Sequence, residues 1–234
     1  MAYVGGKSKG AQHIVDVLNN KKYDNMNYIE PFIGYAHILR RVKNKKSFIA
    51  SDANPLVISL LHGIQNNKKY NSMHITKKQY NELKNDTKNL SFKRALAAFA
   101  YSYNGKEWGG YTISSGSRDN YPLERKNYYD NLKKNESFMK CSLSVNNYIN
   151  IKPKNSLIYC DPPYKSTTGY GNMLFDHNKF WDTMRKWSKN NIVYISEYTA
   201  PSDFKCVSKR EKHQSLNGKG SGKLVYEKLW KFKY

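Results

Sequence analysis

Cysteine, acid and long apolar runs are all in short supply in this chain, and each shortage closes off a class of protein. Cys141, Cys160 and Cys206 are the three cysteines, and they show no metal-type spacing. That excludes a disulfide framework and a zinc site; all three are expected to be reduced and structural, with no metal ligands. No run is long or apolar enough to span a bilayer, and Met1-Ala2-Tyr3-Val4-Gly5-Gly6-Lys7 lacks the apolar core of a signal peptide. The expectation is a cytoplasmic protein with no membrane contact. Acids number 18 against 40 Lys and Arg, a formal charge of +22. So large an imbalance exceeds what solubility needs and points to a polyanionic partner, nucleic acid first. A compositional origin competes with that reading. Lysine far outnumbers arginine, and Asn-Asn pairs recur at Asn19-Asn20, Asn66-Asn67, Asn146-Asn147 and Asn190-Asn191, as an A+T-rich coding sequence would produce.

What remains is enough for one sizeable core. A chain of 234 residues accommodates one α/β domain with an insertion, and twenty tyrosines interleaved with lysines suit a stacking surface as well as a core. The stretch Leu157-Ile158-Tyr159-Cys160-Asp161-Pro162-Pro163-Tyr164 organises the rest. Its uncharged run reads as a buried parallel strand, and the two prolines end it abruptly. Asp161 therefore falls at a strand's carboxyl end, where open α/β sheets bind ligands. A carboxylate, proline carbonyls and the face of Tyr164 together suit a planar molecule carrying an NH2 group. The plainer alternative is a strand end with a capping Asp and a turn.

Asp161-Pro162-Pro163-Tyr164 is similar to the catalytic tetrapeptide of amino-group methyltransferases that use S-adenosylmethionine, in particular DNA adenine-N6 methyltransferases of the Dam type (D12 class, alpha group, phage-like). Other segments extend the likeness over nearly the whole chain. Tyr3-Val4-Gly5-Gly6-Lys7 resembles that family's amino-terminal motif, which implies cofactor contacts from Tyr3, Gly5, Gly6 and Lys7. A helix is expected over Ala11 to Leu18, where Ala11, Ile14, Val15 and Leu18 share a face. Tyr28-Ile29-Glu30-Pro31-Phe32-Ile33-Gly34-Tyr35-Ala36 follows, read as a strand, a glycine turn and a helix running to about Val42. Its Pro-Phe-x-Gly core resembles the family's cofactor motif and implies Glu30, Pro31, Phe32 and Gly34 as cofactor residues. Tyr35 is bulky and Ala36 stands where a glycine is frequent, a departure that can narrow the pocket. Phe48-Ile49-Ala50 reads as a strand ending at Asp52. An acid there accepts from ribose hydroxyls, or it caps the helix from Leu56 to Ile64 beside Asn54 and Pro55. The resemblance favours Asp52 for ribose and Ala53 beside the adenine.

Residues 66–151 change character. Paired lysines crowd helical stretches near Thr76 to Lys84 and Phe92 to Tyr101, and no second nucleotide turn occurs. This segment is expected to be an inserted, mainly helical target-recognition region, with residues 1–65 and 152–234 forming the catalytic domain. Its middle, from Tyr103 to Arg118, mixes aromatics, glycines and cations without helical period. There a loop or β-hairpin is expected to touch DNA through Asn104, Lys106, Trp108, Tyr111 and Arg118, or to be a surface hairpin with Trp108 packed on its own scaffold. Past Tyr164, a basic loop at 165–171 can close over substrate. Asp176 and His177 precede a helix whose Phe180, Trp181, Met184 and Trp187 read as core. Ile192 to Ile195 is a further strand, and Phe204 to Ser208 with Leu224 to Trp230 read as paired strands around a Gly/Lys-rich link.

The expected fold is a Rossmann-like methyltransferase sheet with helices on both faces. The expected activity is transfer of methyl from S-adenosylmethionine to adenine N6 in double-stranded DNA by base flipping, by a monomer or weak dimer. Asp161, Pro162, Pro163 and Tyr164 are the catalytic candidates, Asp161 lying beside the cofactor as well. The alternatives are the same chemistry on RNA adenine or cytosine-N4, or a DNA-binding relative without catalysis. Asn at position 161 would have raised RNA or protein-glutamine substrates, and Ser would have raised cytosine.

Overall fold

Five short runs with little charge become parallel neighbours: Asn27–Glu30 (β1), Ser47–Asp52 (β2), Ser142–Val145 (β3), Ser156–Cys160 (β4) and Ile192–Glu197 (β5). Two longer antiparallel strands, Phe204–Gln214 (β6) and Lys223–Phe232 (β7), complete the sheet. The strand order is β3-β2-β1-β4-β5-β7-β6. These elements belong to a computed structural model that describes residues 10–66, 73–113, 121–164, 175–214 and 223–233. Tyr3, Gly5, Gly6, Lys7, Arg118, the loop at 165–171 and the link at 216–222 lie outside the described residues.

Every residue of β4 is buried, because its two faces meet different cores. Leu157 and Tyr159 join the larger cluster, and Ile158 and Cys160 the smaller one, which Phe180, Trp181, Met184 and Trp187 supply from the other face of the sheet. That period of two is what a strand buried on both sides requires. The aromatic stripe on His177–Ser188 (here α7) is thus core, and the Asp176 side chain caps that helix by accepting from the Lys179 N–H. Helices Gln12–Leu18 (α1) and Pro55–Gln65 (α2) supply the opposite face. Asn54 caps α2 by accepting from the Leu56 N–H at 2.9 Å. The sheet is therefore an α/β layer structure with helices on both faces, as expected, and no helix among the described residues is long and apolar enough to cross a membrane.

Three local expectations change. No α-helix runs from Gly34 to Val42: Gly34 and Ala36 have φ of +47° and +54°, left-handed values that break a helix, and only a 3-10 turn forms at Leu39–Arg41. Of the loop or β-hairpin expected from Tyr103, the described residues show a loop with a single antiparallel bridge between Ser102 and Tyr111. Asn104, Trp108 and Gly110 all take positive φ, so the chain turns too often to pair. Finally, β3 lies within 66–151 yet pairs with β2, from Ile49 with Ser142 to Asp52 with Val145. Among the described residues of the segment the α-helices all precede β3, as Lys77–Asn85 (α3), Phe92–Ala100 (α4), Tyr121–Lys133 (α5) and Glu136–Met139 (α6), and a 3-10 turn at Tyr148–Asn150 follows it.

Candidate active site

β1 has β2 on one side and β4 on the other, so the connections diverge there and leave a crevice at the carboxyl ends of β1 and β4. The acids of the two motifs meet at that edge. Glu30 ends β1 and is buried, accepting from the Tyr28 hydroxyl at 2.7 Å. Burial pushes its carboxyl up to about 8, against the Tyr28 hydrogen bond and with the neighbouring Asp161 charge adding to the rise. Asp161 follows β4 directly and is half-buried, with Pro162 buried beside it. Its charge acts on Glu30, Tyr159 and Tyr164 alike, which brings the Glu30-Pro31-Phe32 and Asp161-Pro162-Pro163-Tyr164 segments to one edge.

The glycine turn is tied across to β2. Gly34 N–H donates to Asp52 Oδ2 at 3.1 Å, and Asn54 N–H donates to Oδ1 at 2.9 Å. Burial lifts Asp52 to about 6, those two N–H groups oppose the rise, and nearby Glu107 adds to it. Of the residues at this corner Asn54 caps α2, while Asp52 staples the glycine turn to the end of β2. Each carboxylate oxygen keeps a second lone pair for a hydroxyl. Ala53 is exposed. Tyr35 does not narrow the crevice. It is 1% exposed, donates to the Gly105 carbonyl and meets Phe99 edge to face. Ala36 occupies a backbone conformation that glycine tolerates better. Pro31 is buried, and Phe32 packs on Tyr148, Phe175 and Phe180.

Tyr164 is held from the far strands. Its hydroxyl donates to Glu227 Oε1 at 3.0 Å, and its ring meets that of Tyr198 edge to face at 4.9 Å. Burial, Asp161 and Glu227 together keep the phenol protonated. Glu227 and Glu197 are both buried, and Glu197 accepts from the Tyr198 N–H at 2.7 Å. Glu107, Glu197, Tyr198 and Glu227 were not singled out from sequence. A glutamate between tyrosine and lysine in a strand gives no local sign that its side chain faces inward.

The target-region candidates divide. Asn104 and Lys106 are exposed. Trp108 is half-buried, edge to face with Tyr80 and under the Arg94 guanidinium, while Tyr111 donates to the Ile75 carbonyl and stacks on Tyr101. Those two rings pack on the scaffold.

Residues 3–212 match the family described as D12 class N6 adenine-specific DNA methyltransferase. The chain belongs to that family. No curated protein matches it in sequence. Solved structures that resemble the fold include the rRNA methyltransferase aviRa from Streptomyces viridochromogenes, with 10% identity, 98% of this chain and 87% of that one covered, and a TM-score of 0.45. Others are an rRNA methylase from Streptococcus thermophilus (8%, 97% and 100%, 0.40) and precorrin-6y C5,15-methyltransferase from Geobacter metallireducens (10%, 97% and 92%, 0.39). This D12-class chain is thus a methyltransferase, and membership implies S-adenosylmethionine as its methyl donor. The residues present fit such a group: a left-handed glycine turn leaves backbone accessible at β1, and a carboxylate stands at the end of β2 for hydroxyls. Glu227, which holds Tyr164, lies beyond the matched residues.

Proposed function

We propose that this D12-class methyltransferase methylates the N6 amino group of adenine in double-stranded DNA, after the base has left the helix. The observation that carries the reading is the position of Asp161, immediately beyond a fully buried central strand and within electrostatic reach of the Glu30 turn. In this reading Glu30, Pro31, Phe32, Gly34, Asp52 and Ala53 line the cofactor's place, and Tyr3, Gly5, Gly6 and Lys7 join them. The bound cofactor supplies a methyl group already activated on a sulfonium.

The chain supplies alignment and charge. Asp161 and the carbonyl of Pro162 or Pro163 accept from the adenine amino group, drawing its lone pair out of conjugation. Tyr164, fixed by Glu227 and Tyr198, offers the ring against which an extruded base packs; an amino nitrogen inside a duplex could not be reached. Nitrogen gains the methyl as one N–H proton leaves, and Asp161 is the nearest base to take it. Most of the rate comes from holding the partners in line and from the acidic surroundings of a developing ammonium. Residues 66–151 read the target, in their helical part before β3, with Asn104, Lys106 and Arg118 toward DNA.

The test is transfer of labelled methyl to unmethylated duplex DNA, with matched RNA and the Asp161→Ala protein run in parallel. N6-methyladenine should form in DNA and fall by at least about 10²–10³-fold in the variant. Label in RNA alone, or in cytosine, would overturn the substrate assigned here.

A further inference from the structure

The outer end of the sheet carries more cation than a sheet edge needs. β7 runs antiparallel to β5, and its last partner there is Lys228, opposite Glu197 at the carboxyl end of β5. The five residues Lys223–Glu227 pair with β6 alone. At about 3.3 Å per residue they form a two-stranded ribbon reaching roughly 16 Å past the carboxyl edge, the edge that holds Asp161. The ribbon's root is abreast of the catalytic loop, since Glu227 accepts from Tyr164. It also lies against the start of the chain: a Cβ on Gly10 would overlap the Arg210 guanidinium.

β6 and β7 together hold seven Lys and Arg against two Glu. Two lysine pairs face each other directly, Lys205 with Lys231 and Lys209 with Lys228. Like charges in that relation repel. Edge protection accounts for lysine on β6, the outermost strand, but not for Lys228 and Lys231 on β7, which has neighbours on both sides. Lys209 is exposed and lies over the ring of Tyr226, itself exposed, and Lys228 lies over Trp230. Lys228 faces Glu197 on β5 and Arg210 faces Glu227 across the ribbon, yet seven cations against two glutamates leave β6 and β7 with an excess of positive charge spread along aromatic faces. A row of phosphates balances that excess.

We infer that the β6–β7 ribbon is a phosphate-binding arm that grips duplex DNA on the side of the active site opposite the target-reading helices. This rests on the DNA reading of the site and extends it. The helices of residues 73–140 pack on α2 and on the turn after β1, while the ribbon stands beyond β5. A duplex laid across the carboxyl edge therefore meets a protein surface on each flank, with Asp161 between them. Contacts of this kind add affinity without sequence information.

The double variant Lys209→Ala/Lys228→Ala tests the arm against Lys152→Ala/Lys154→Ala, which removes the same charge from exposed positions before the amino end of β4. Binding to a 30-base-pair duplex is measured across a salt titration, with melting temperature and S-adenosylmethionine affinity recorded for both proteins. The ribbon double should weaken DNA binding about tenfold at 0.1 M salt and reduce the slope of log K against log salt by about 2. Its melting temperature should be unchanged or higher and its cofactor affinity retained, and the control should bind DNA as the parent does. An unchanged slope, or an equal loss in both doubles, would overturn the arm, as would a loss seen only with RNA. Failure of the unmodified protein to methylate DNA at all would instead sink the underlying DNA reading.

Discussion

The carboxyl edge of the sheet and the helical region before β3 both bury ionisable groups, acids at the one and arginines in the other. Among the described residues the buried acids are Glu30, Glu197 and Glu227, at the ends of β1 and β5 and, on β7, beside the Asp161-Pro162-Pro163-Tyr164 loop. The buried arginines are Arg94 and Arg125, both in the helical region. Each arginine works on backbone. Arg94 donates to the Leu83 carbonyl at 2.8 Å, at the end of α3, and Arg125 donates to the carbonyl of Ala100, which ends α4, while stacking over Tyr101. These are orphan carbonyls of helix ends, and a forked cation suits them. Among the bonds the acids make, Glu30 and Glu227 accept from the Tyr28 and Tyr164 hydroxyls and Glu197 from the Tyr198 N–H, roles that a neutral acceptor could also fill. In a chain of net charge +22, the carboxyls gather at the edge proposed to hold cofactor and substrate, whereas the arginines close helix ends.

Three substitutions break or sharpen that contrast. Glu30→Gln should have the largest effect on stability and should raise it. A carboxyl held near 8 when folded and near its ordinary value when unfolded contributes stability that is complete below about pH 4.5. That contribution is lost as pH rises through 8. At pH 9 the variant should gain on the order of 3 kcal/mol in urea unfolding, and its melting temperature should vary less with pH than the parent's. A loss at pH 9 would mean that the carboxyl is structural after all. Arg125→Met should act the other way. With the Ala100 carbonyl left without its donor, stability should drop by about 2 kcal/mol, while calorimetry finds S-adenosylmethionine affinity unaltered. A matching loss of cofactor affinity would dissolve the distinction between scaffold and site. Glu227→Leu should have the smallest effect, about tenfold in turnover or ~1.4 kcal/mol, because it frees the Tyr164 ring without touching the reacting atoms. Turnover equal to the parent's would remove Glu227 from the positioning of that ring.

Legibility followed the range of the forces. The uncharged run of β4 and the Asn54 cap are satisfied within a few residues, so sequence alone locates them. Helix α5 went unread because Tyr121–Lys133 has weak apolar periodicity; it is buried through Tyr128, Tyr129 and Leu132. Tyrosine is ambiguous in sequence, and here many tyrosines, Tyr28, Tyr35, Tyr129 and Tyr159 among them, serve the core. Trp108 and Tyr111, read as DNA contacts or as packing on the scaffold, are half-buried with their rings against Tyr80 and Tyr101.

The chain's own residues determined the family, the Asp161-Pro162-Pro163-Tyr164 loop, the strand ends that carry Glu30 and Asp52, and the excess of cation. Those properties are local, set by side-chain chemistry and by backbone limits at proline and glycine. Tertiary structure alone decided that Glu30 and Asp161 share an edge, that Glu227 comes from sixty-three residues away to hold Tyr164, and that the β6–β7 ribbon outruns β5 toward the same edge. Strand order and register depend on hydrogen bonds between segments distant in sequence, and a carboxyl's burial depends on which of those segments arrive beside it.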